Sequence, residues 1–114
     1  MHPLIATFTA RAALSFDGAF TTSSGSSPVT SATRTITGTG TLLFDNLLGV
    51  TISVQYSKNG GAWTTITGGL TLAMTSGDTL AVRSAIAVVS QTTTFDLRNN
   101  SGGALIEAVT LTRT

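Results

Sequence analysis

Polar and apolar residues alternate along most of the chain, most clearly between residues 50 and 57. A period of two residues is typical of a β-strand with one buried face. The next four residues, Lys-Asn-Gly-Gly, tolerate the positive φ angles that a tight hairpin turn requires. The same pattern predicts further strands at residues 4–10, 12–17, 32–44, 62–67, 70–74, 79–89, 92–98 and 104–113.

Short strands at this spacing indicate an all-β fold, and we predict an antiparallel two-sheet β-sandwich of about seven to nine strands. The expected arrangement is immunoglobulin-like, with a jelly roll as the alternative. We expect one domain over residues 1–114. Residues 1–10 are predicted to form a strand or an N-terminal arm, and the Ser-rich residues 21–31, which include Pro28, a surface loop.

Two local features modify the strand pattern. Gly38 and Gly40 lie inside an otherwise regular strand, and interior glycines predict a bend there. The Asp45-Asn46 pair that follows has the composition of a turn. We therefore expect the chain to bend and then turn before it enters the strand at residues 50–57.

Alternation also assigns side chains to the interior of the sandwich. Tyr56 has the parity of the apolar residues in its strand, and an aromatic residue placed like Trp63, just after a hairpin turn, commonly packs over the core. The alternative is that both rings form an exposed platform for a sugar. Burial of Trp63 would exclude that platform, and exposure would favour it. The predicted core residues are Val54, Tyr56, Trp63, Leu80, Val82, Phe95, Leu97 and Leu111.

The composition limits what the surface of this fold can do. Only 10% of the residues are charged, and about one residue in five is threonine, so hydroxyl and amide side chains must cover most of the surface. A β-rich surface with so few charges favours association, which suits a protein packed into a larger assembly. The net charge is +1 with no basic cluster, so we predict no nucleic-acid binding. We also predict no membrane association, because no apolar run approaches the length of a membrane span.

Few residues could carry chemistry. The single histidine, His2, stands beside the N-terminus without neighbouring catalytic groups, and the absence of cysteine excludes thiol chemistry. Three of the five acids occur in predicted turns, where aspartate commonly bonds its own backbone. A calcium site among them is the alternative, although no D-x-D-x-D run is present. We therefore predict no enzymatic activity, no metal and no cofactor.

The second half of the chain resembles a known family. The runs Y-S-K-N-G-G-A-W at residues 56–63 and G-D-T-L-A-V-R at residues 77–83 are similar to turn and core motifs of immunoglobulin-like β-sandwich domains in tailed-phage virion proteins and bacterial surface proteins. The resemblance implies a sandwich fold and a structural role in a virion. It also implies synthesis in the host cytoplasm, since the sequence begins without a signal-peptide pattern; the bacterial cell surface is the alternative location.

We therefore expect a non-enzymatic virion structural protein, with capsid decoration or cementing first and a head fibre or tail component next. Its partners would be other capsid or tail proteins and copies of itself. The alternative function is a carbohydrate-binding or host-adhesion module. We expect the assembly contacts to lie in the N-terminal arm, in the loop at residues 21–31 and along the edge of the final strand. The candidate contact residues are Leu4, Ile5, Phe8, Ser24, Ser27 and Pro28.

Overall fold

The computed structural model describes residues 13–49 and 53–114. Within these ranges the regular structure consists of eleven β-strands and no helix. The strands are β1 (Ser15–Phe16), β2 (Thr22–Ser24), β3 (Val29–Thr30), β4 (Arg34–Thr37), β5 (Gly40–Gly49), β6 (Val54–Lys58), β7 (Thr64–Thr65), β8 (Thr71–Met74), β9 (Thr79–Ser84), β10 (Thr92–Asn99) and β11 (Leu105–Arg113).

The strands form two sheets that face each other across one core. Sheet one has the order β1-β4-β9-β6-β7, with β3 also pairing with β9. Sheet two has the order β2-β11-β10-β5-β8. Every pair is antiparallel except β2 with β11, which is parallel. The predicted all-β, two-sheet sandwich is confirmed, and the strand number exceeds seven to nine because several strands are only two or three residues long.

Seven of the strands follow the immunoglobulin order. Taken along the chain as A to G, the strands β1, β4, β5, β6, β9, β10 and β11 give A-B-E-D in sheet one and C-F-G in sheet two. The remaining four are short additions: β2 beside β11, β3 beside β9, β7 beside β6 and β8 beside β5. This order favours the immunoglobulin-like arrangement over the jelly roll.

The core lies between the sheets and is centred on aromatic rings. Phe44 of β5 lies 5.9 Å from Phe95 of β10 and 6.0 Å from Tyr56 of β6, measured between ring centroids. Tyr56 is half-buried and packs against the residues of the core cluster. Six of the predicted core residues are buried within the cluster: Val54, Leu80, Val82, Phe95, Leu97 and Leu111. Trp63 does not belong to it.

Residues 21–31 are not a plain surface loop, which corrects the sequence-based prediction. This segment contains β2, which pairs with β11 of sheet two, and β3, which pairs with β9 of sheet one. Val29 is fully buried, and the Ser31 hydroxyl accepts a hydrogen bond from Val82 N. The segment therefore connects the two sheets. Its strands were missed because two or three residues are too few to show an alternating pattern.

The bend predicted near the interior glycines is confirmed, and the turn predicted after it is not. Strand β4 ends before Gly38, which has a φ of 91°, and β5 begins at Gly40. Strand β5 then continues through Asp45 and Asn46. Asn46 has a φ of 52°, and the register with β10 shifts here: Asp45 pairs with Asp96 and Leu48 with Thr94, so Asn46 and Leu47 form a β-bulge within a ten-residue strand.

A second bulge changes which side chains of β11 face inward. Leu97 pairs with Glu107 and Arg98 pairs with Leu105, so Ile106 is an extra residue on the β11 side. Simple alternation with Val109 and Leu111 would place Leu105 inside, but it shares the outward direction of Arg98 and is 52% exposed. The predicted strand 79–89 is also shorter, because β9 ends at Ser84.

Candidate functional site

Trp63 lies on the outer surface of sheet one rather than in the core. Strand β7 pairs with β6 so that Thr65 is opposite Gln55 and Thr64 is opposite Tyr56. Because Tyr56 faces the core, the odd-numbered residues of β7 take the opposite, outward direction, and Trp63 shares their parity. The Trp63 side chain is half-buried. The assignment of Trp63 to the core is therefore wrong, because the register of the β6–β7 hairpin reverses its direction.

The Trp63 ring contacts a positively charged side chain from β9. The guanidinium carbon of Arg83 lies 4.2 Å from the ring centroid, a cation–π arrangement. Arg83 Nε also donates a 2.8 Å hydrogen bond to Oε1 of Gln55, its cross-strand partner. An aromatic face and a side-chain amide thus hold one guanidinium in a defined orientation on the outer face of sheet one.

Arg83 contacts an aromatic ring and a side-chain amide, whereas the other cations of the described chain contact acids or backbone carbonyls. Lys58 lies 3.7 Å from Asp78, and Arg98 lies 3.1 Å from Asp96. Arg34 donates to the carbonyl of Ala19, and Arg113 to the carbonyls of Gly25, Ile86 and Ala87. All five acidic side chains of the chain lie in the described ranges, and none of them is within ion-pair distance of Arg83.

A polar row crosses sheet one at the level of Arg83. Thr30 of β3 and Gln55 of β6 are the register partners of Arg83, and Thr65 of β7 is the partner of Gln55. Directly opposed residues of antiparallel strands project to the same side of a sheet. The row therefore presents a hydroxyl, a guanidinium, an amide and a second hydroxyl across four strands, with the Trp63 ring beside them. We call Thr30, Gln55, Trp63, Thr65 and Arg83 the Arg83 row.

A charged cluster occupies the outer face of sheet two. Arg98 Nη2 bonds to Oδ2 of Asp96 at 3.1 Å, and its Nε lies 3.9 Å from Oδ2 of Asp45. Asn46 Nδ2 donates to the same Asp96 oxygen at 2.7 Å. Arg98 Nη1 bonds to the carbonyl of Gly103. These groups pair with one another, so the cluster fixes the bulge of β5 and the turn after β10.

Glu107 explains why a charged residue interrupts the inward face of the last strand. Its carboxylate accepts hydrogen bonds of 2.9 and 3.1 Å from Phe20 N and of 2.9 Å from both the N–H and the hydroxyl of Thr21. The Thr21 hydroxyl oxygen in turn accepts from Thr110 N at 3.0 Å. Glu107 thereby attaches the start of the 21–31 segment to β11. With β2, which pairs with Leu111, Thr112 and Arg113, it also covers part of the edge of the final strand, where assembly contacts were expected.

Asp78 joins two turns at one end of the sandwich. Its carboxylate accepts from Thr75 N at 2.8 Å and from Asn59 Nδ2 at 3.1 Å. These bonds, the first foremost, and the nearby Lys58 ammonium hold the pKa of Asp78 below its usual 3.8. The predicted turn at Asn59 and Gly60 is confirmed, since both have positive φ, 53° and 71°. The acid has a structural use as a connector of turns.

Within residues 13–49 and 53–114, no three His, Cys, Asp or Glu side chains are grouped as metal ligands. His2 lies outside the described residues. The turn acids considered for calcium accept hydrogen bonds from backbone N–H groups of the domain: Asp17 from Thr35, Asp45 from Asn46 and Asp78 from Thr75. Each of the three carboxylates thus has a structural contact.

The candidate assembly residues fall into two groups. Leu4, Ile5 and Phe8 lie outside the described residues. Ser24 is half-buried in β2, and the Ser27 hydroxyl accepts a hydrogen bond from Ile86 N, so both serve contacts within the domain; Pro28 is exposed.

Four large apolar side chains are exposed in the described chain despite the well-filled core. Leu48 is 65% exposed, Val89 56%, Val88 54% and Leu105 52%. Leu48 lies near the end of β5, and Val88 and Val89 lie in the connection that enters β10 beside it. Leu105 borders an open groove of about 550 Å³ between β1 and β11, whose walls include Leu14, Phe16 and Ile106. We call Leu48, Val88, Val89 and Leu105 the exposed apolar set.

Comparisons of the chain with protein-family models, with curated proteins and with solved structures found no match. Among residues 13–49 and 53–114, none form a helix of the length and hydropathy needed to cross a membrane.

Alternation along β9 is enough to place Arg83 on the outer side of its strand, but it does not bring Arg83 to Trp63. The two residues are twenty positions apart, and their contact depends on β6 lying between β7 and β9. The alternation in β6 and β9 could have revealed that Gln55 and Arg83 both face outward. Their pairing requires the register, which alternation alone leaves open.

Proposed function

We propose that this chain is a non-enzymatic structural protein of a tailed-phage virion. Capsid decoration or cementing is the first assignment, with a head fibre or tail component as the next. The observation that carries the proposal is the exposed apolar set on a sandwich with a filled core. Leu48, Val88 and Val89 come from neighbouring parts of the chain's fold, the end of β5 and the connection before β10, and exposed apolar side chains grouped in this way are typical of surfaces that pack against another protein.

The outer faces of the sheets add to this support. Threonines dominate them, as at Thr35 and Thr37 in sheet one and Thr94, Thr110 and Thr112 in sheet two. The carboxylates are used within the domain, so little net charge would have to be desolvated when a neighbour packs on these faces. The resemblance of residues 56–63 and 77–83 to virion domains points to the same class of assembly.

The mechanism follows from a rigid domain and repeated weak contacts. Partial burial of each member of the exposed apolar set contributes about 1 kcal/mol. A particle offers many equivalent positions, and a neighbour that touches two copies at once converts these small increments into stable attachment. The partners are capsid or tail subunits and other copies of this chain.

Replacing the exposed apolar set with threonine is expected to weaken attachment to purified particles by at least about tenfold. The four changes are Leu48→Thr, Val88→Thr, Val89→Thr and Leu105→Thr. Because the side chains are more than half exposed, the thermal unfolding midpoint should change little. Co-sedimentation of labelled chain with particles that lack it measures the attachment.

The matched control is Thr35→Ser with Thr37→Ser, which alters exposed residues of sheet one outside the set. This control should attach as the original chain does. Equal attachment by the threonine variant and the control would refute the role of the exposed apolar set.

A second candidate function, a carbohydrate-binding or host-adhesion module, is favoured by one observation. Trp63 lies outside the core, with one ring face against Arg83 and with hydroxyl and amide groups in the same row. Aromatic rings beside hydrogen-bonding groups are suited to the apolar faces and hydroxyls of sugars. A virion protein with such a module would both pack into the particle and bind sugars on the host surface.

A further inference from the structure

We propose that the Arg83 row binds a carboxylate-bearing sugar, such as a uronic or sialic acid residue of a glycan. The inference rests on the second candidate function and specifies its ligand class. It assigns Arg83 to the carboxylate, Trp63 to an apolar face of the sugar ring, and Thr30, Gln55 and Thr65 to its hydroxyls. It is independent of whether the chain is part of a virion.

The first support is that the Arg83 guanidinium is already oriented. The contact with Trp63 at 4.2 Å and the bond from Nε to Gln55 at 2.8 Å restrain the plane of the group. Neither Nη1 nor Nη2 has a hydrogen-bond partner in the part of the chain that the structure describes. These two nitrogens form the fork that pairs with both oxygens of a carboxylate.

The second support is charge. Every acidic side chain of the protein is described, and each has other partners, so the chain provides no carboxylate for Arg83. The row contains no second cation, and a single guanidinium fork matches one carboxylate. A phosphate, with its greater charge, is usually bound by several donors or cations together. A ligand with one carboxylate is therefore the complementary anion.

The third support is the shape and polarity of the row. Four neighbouring strands at a spacing of about 4.8 Å place Thr30 and Thr65 roughly 14 Å apart. This span fits two or three sugar rings. Apart from Arg83 the row is neutral and rich in hydroxyl and amide groups, which suits a polyhydroxylated ligand better than an acidic peptide with apolar side chains.

The chain carries its own probe, because Trp63 is its only tryptophan. We expect a saturable change in Trp63 fluorescence when the purified protein is titrated with a uronic-acid oligosaccharide or a sialylated trisaccharide. The dissociation constant should lie in the millimolar to upper micromolar range and increase with salt. The methyl ester of the same sugar acid should bind at least about tenfold more weakly, since it cannot pair with the guanidinium fork.

The variants separate a binding role from a structural one. Arg83→Gln should abolish the preference for acidic sugars, and Arg83→Lys should weaken binding while retaining part of the salt dependence. Arg34→Gln is the matched control, because it removes the same charge from another arginine of sheet one without an acid partner; it should bind normally. Gln55→Ala should weaken binding while leaving all charges in place, because it frees the guanidinium and also removes an amide assigned to the sugar hydroxyls.

Three results would overturn the inference in different ways. Equal binding of acidic and neutral sugars, sensitive to Trp63→Ala, would retain the carbohydrate-binding function and refute the carboxylate assignment. Preference for an acidic peptide over acidic sugars would refute the ligand class. Absence of saturable binding to every sugar would show that Arg83 and Trp63 form a structural pair only, and would refute both the inference and the second candidate function.

Discussion

Replacing Phe20 by alanine is expected to lower the free energy of unfolding by about 3–5 kcal/mol. Phe20 is 1% exposed and belongs to the core cluster, although it precedes a polar segment that the sequence pattern assigns to a loop. Its ring meets that of Phe16 edge to face, with centroids 4.8 Å apart. Truncation would leave a cavity beneath the segment that connects the two sheets. Chemical denaturation at equilibrium measures the loss.

Phe16→Ala is the matched control for this prediction. Phe16 lies in the same contact but is half-buried, so its truncation should cost distinctly less. If the two variants lose the same stability, or if Phe20→Ala is nearly neutral, Phe20 is not an anchor of the core. The N-terminal third would then be only loosely attached to the sandwich.

The second large effect concerns a buried pair of hydroxyls between the sheets. Ser84 Oγ of β9 and Thr93 Oγ1 of β10 are 2.8 Å apart, and both residues are at most 1% exposed. Ser84→Ala or Thr93→Val alone should each cost about 1–3 kcal/mol, because the remaining hydroxyl loses its partner in a site that excludes water. The double variant should cost clearly less than the sum, since it leaves no unpaired hydroxyl.

A thermodynamic cycle of denaturation curves for the two single variants and the double variant measures this coupling. Thr92→Val serves as the control, because Thr92 is the exposed neighbour in the same strand and should change stability by no more than about 0.5 kcal/mol. Additive losses in the cycle would show that the hydroxyls do not depend on each other. The hydroxyl pair would then contribute no coupling between the sheets.

Alternation predicted the main strands because each has one face on a common core. In β10, for example, Thr93, Phe95 and Leu97 are buried and the intervening residues are not. The turns at Asn59-Gly60 and after Asn99 were also readable, since positive φ angles favour asparagine and glycine. The fold class therefore followed from local chemistry.

The misassigned features depend on partners distant in the chain. The bulges at Asn46 and Ile106 reverse the relation between residue parity and sheet face on their two sides, and the second leaves Leu105 outside although Val109 and Leu111, of the same parity, are inside. Strand β8 pairs with β5 rather than with a sequence neighbour, so a run of consecutive hairpins does not describe the topology. The alternation of polar and apolar residues in one sequence does not indicate which strands pair or in which register.

The candidate site also depends on pairing between residues that are distant in the chain. Arg83, Gln55 and Trp63 come from three strands or turns and meet only because β6 lies between β7 and β9. Each residue alone has an ordinary interpretation as surface or core. Their arrangement, together with the use of every acid elsewhere, is what indicates an anion site. The exposed apolar set is equally invisible in sequence, because exposure depends on where strands end.

The proposed function requires that many copies of this chain are incorporated into a phage particle. Quantitative mass spectrometry of gradient-purified particles from the source of the sequence tests it most directly. We expect the chain to sediment with intact particles at a fixed ratio of many copies to the major structural proteins, and to remain after a salt wash. Recovery of the chain only as a soluble monomer, absent from the particle fraction, would contradict the claim.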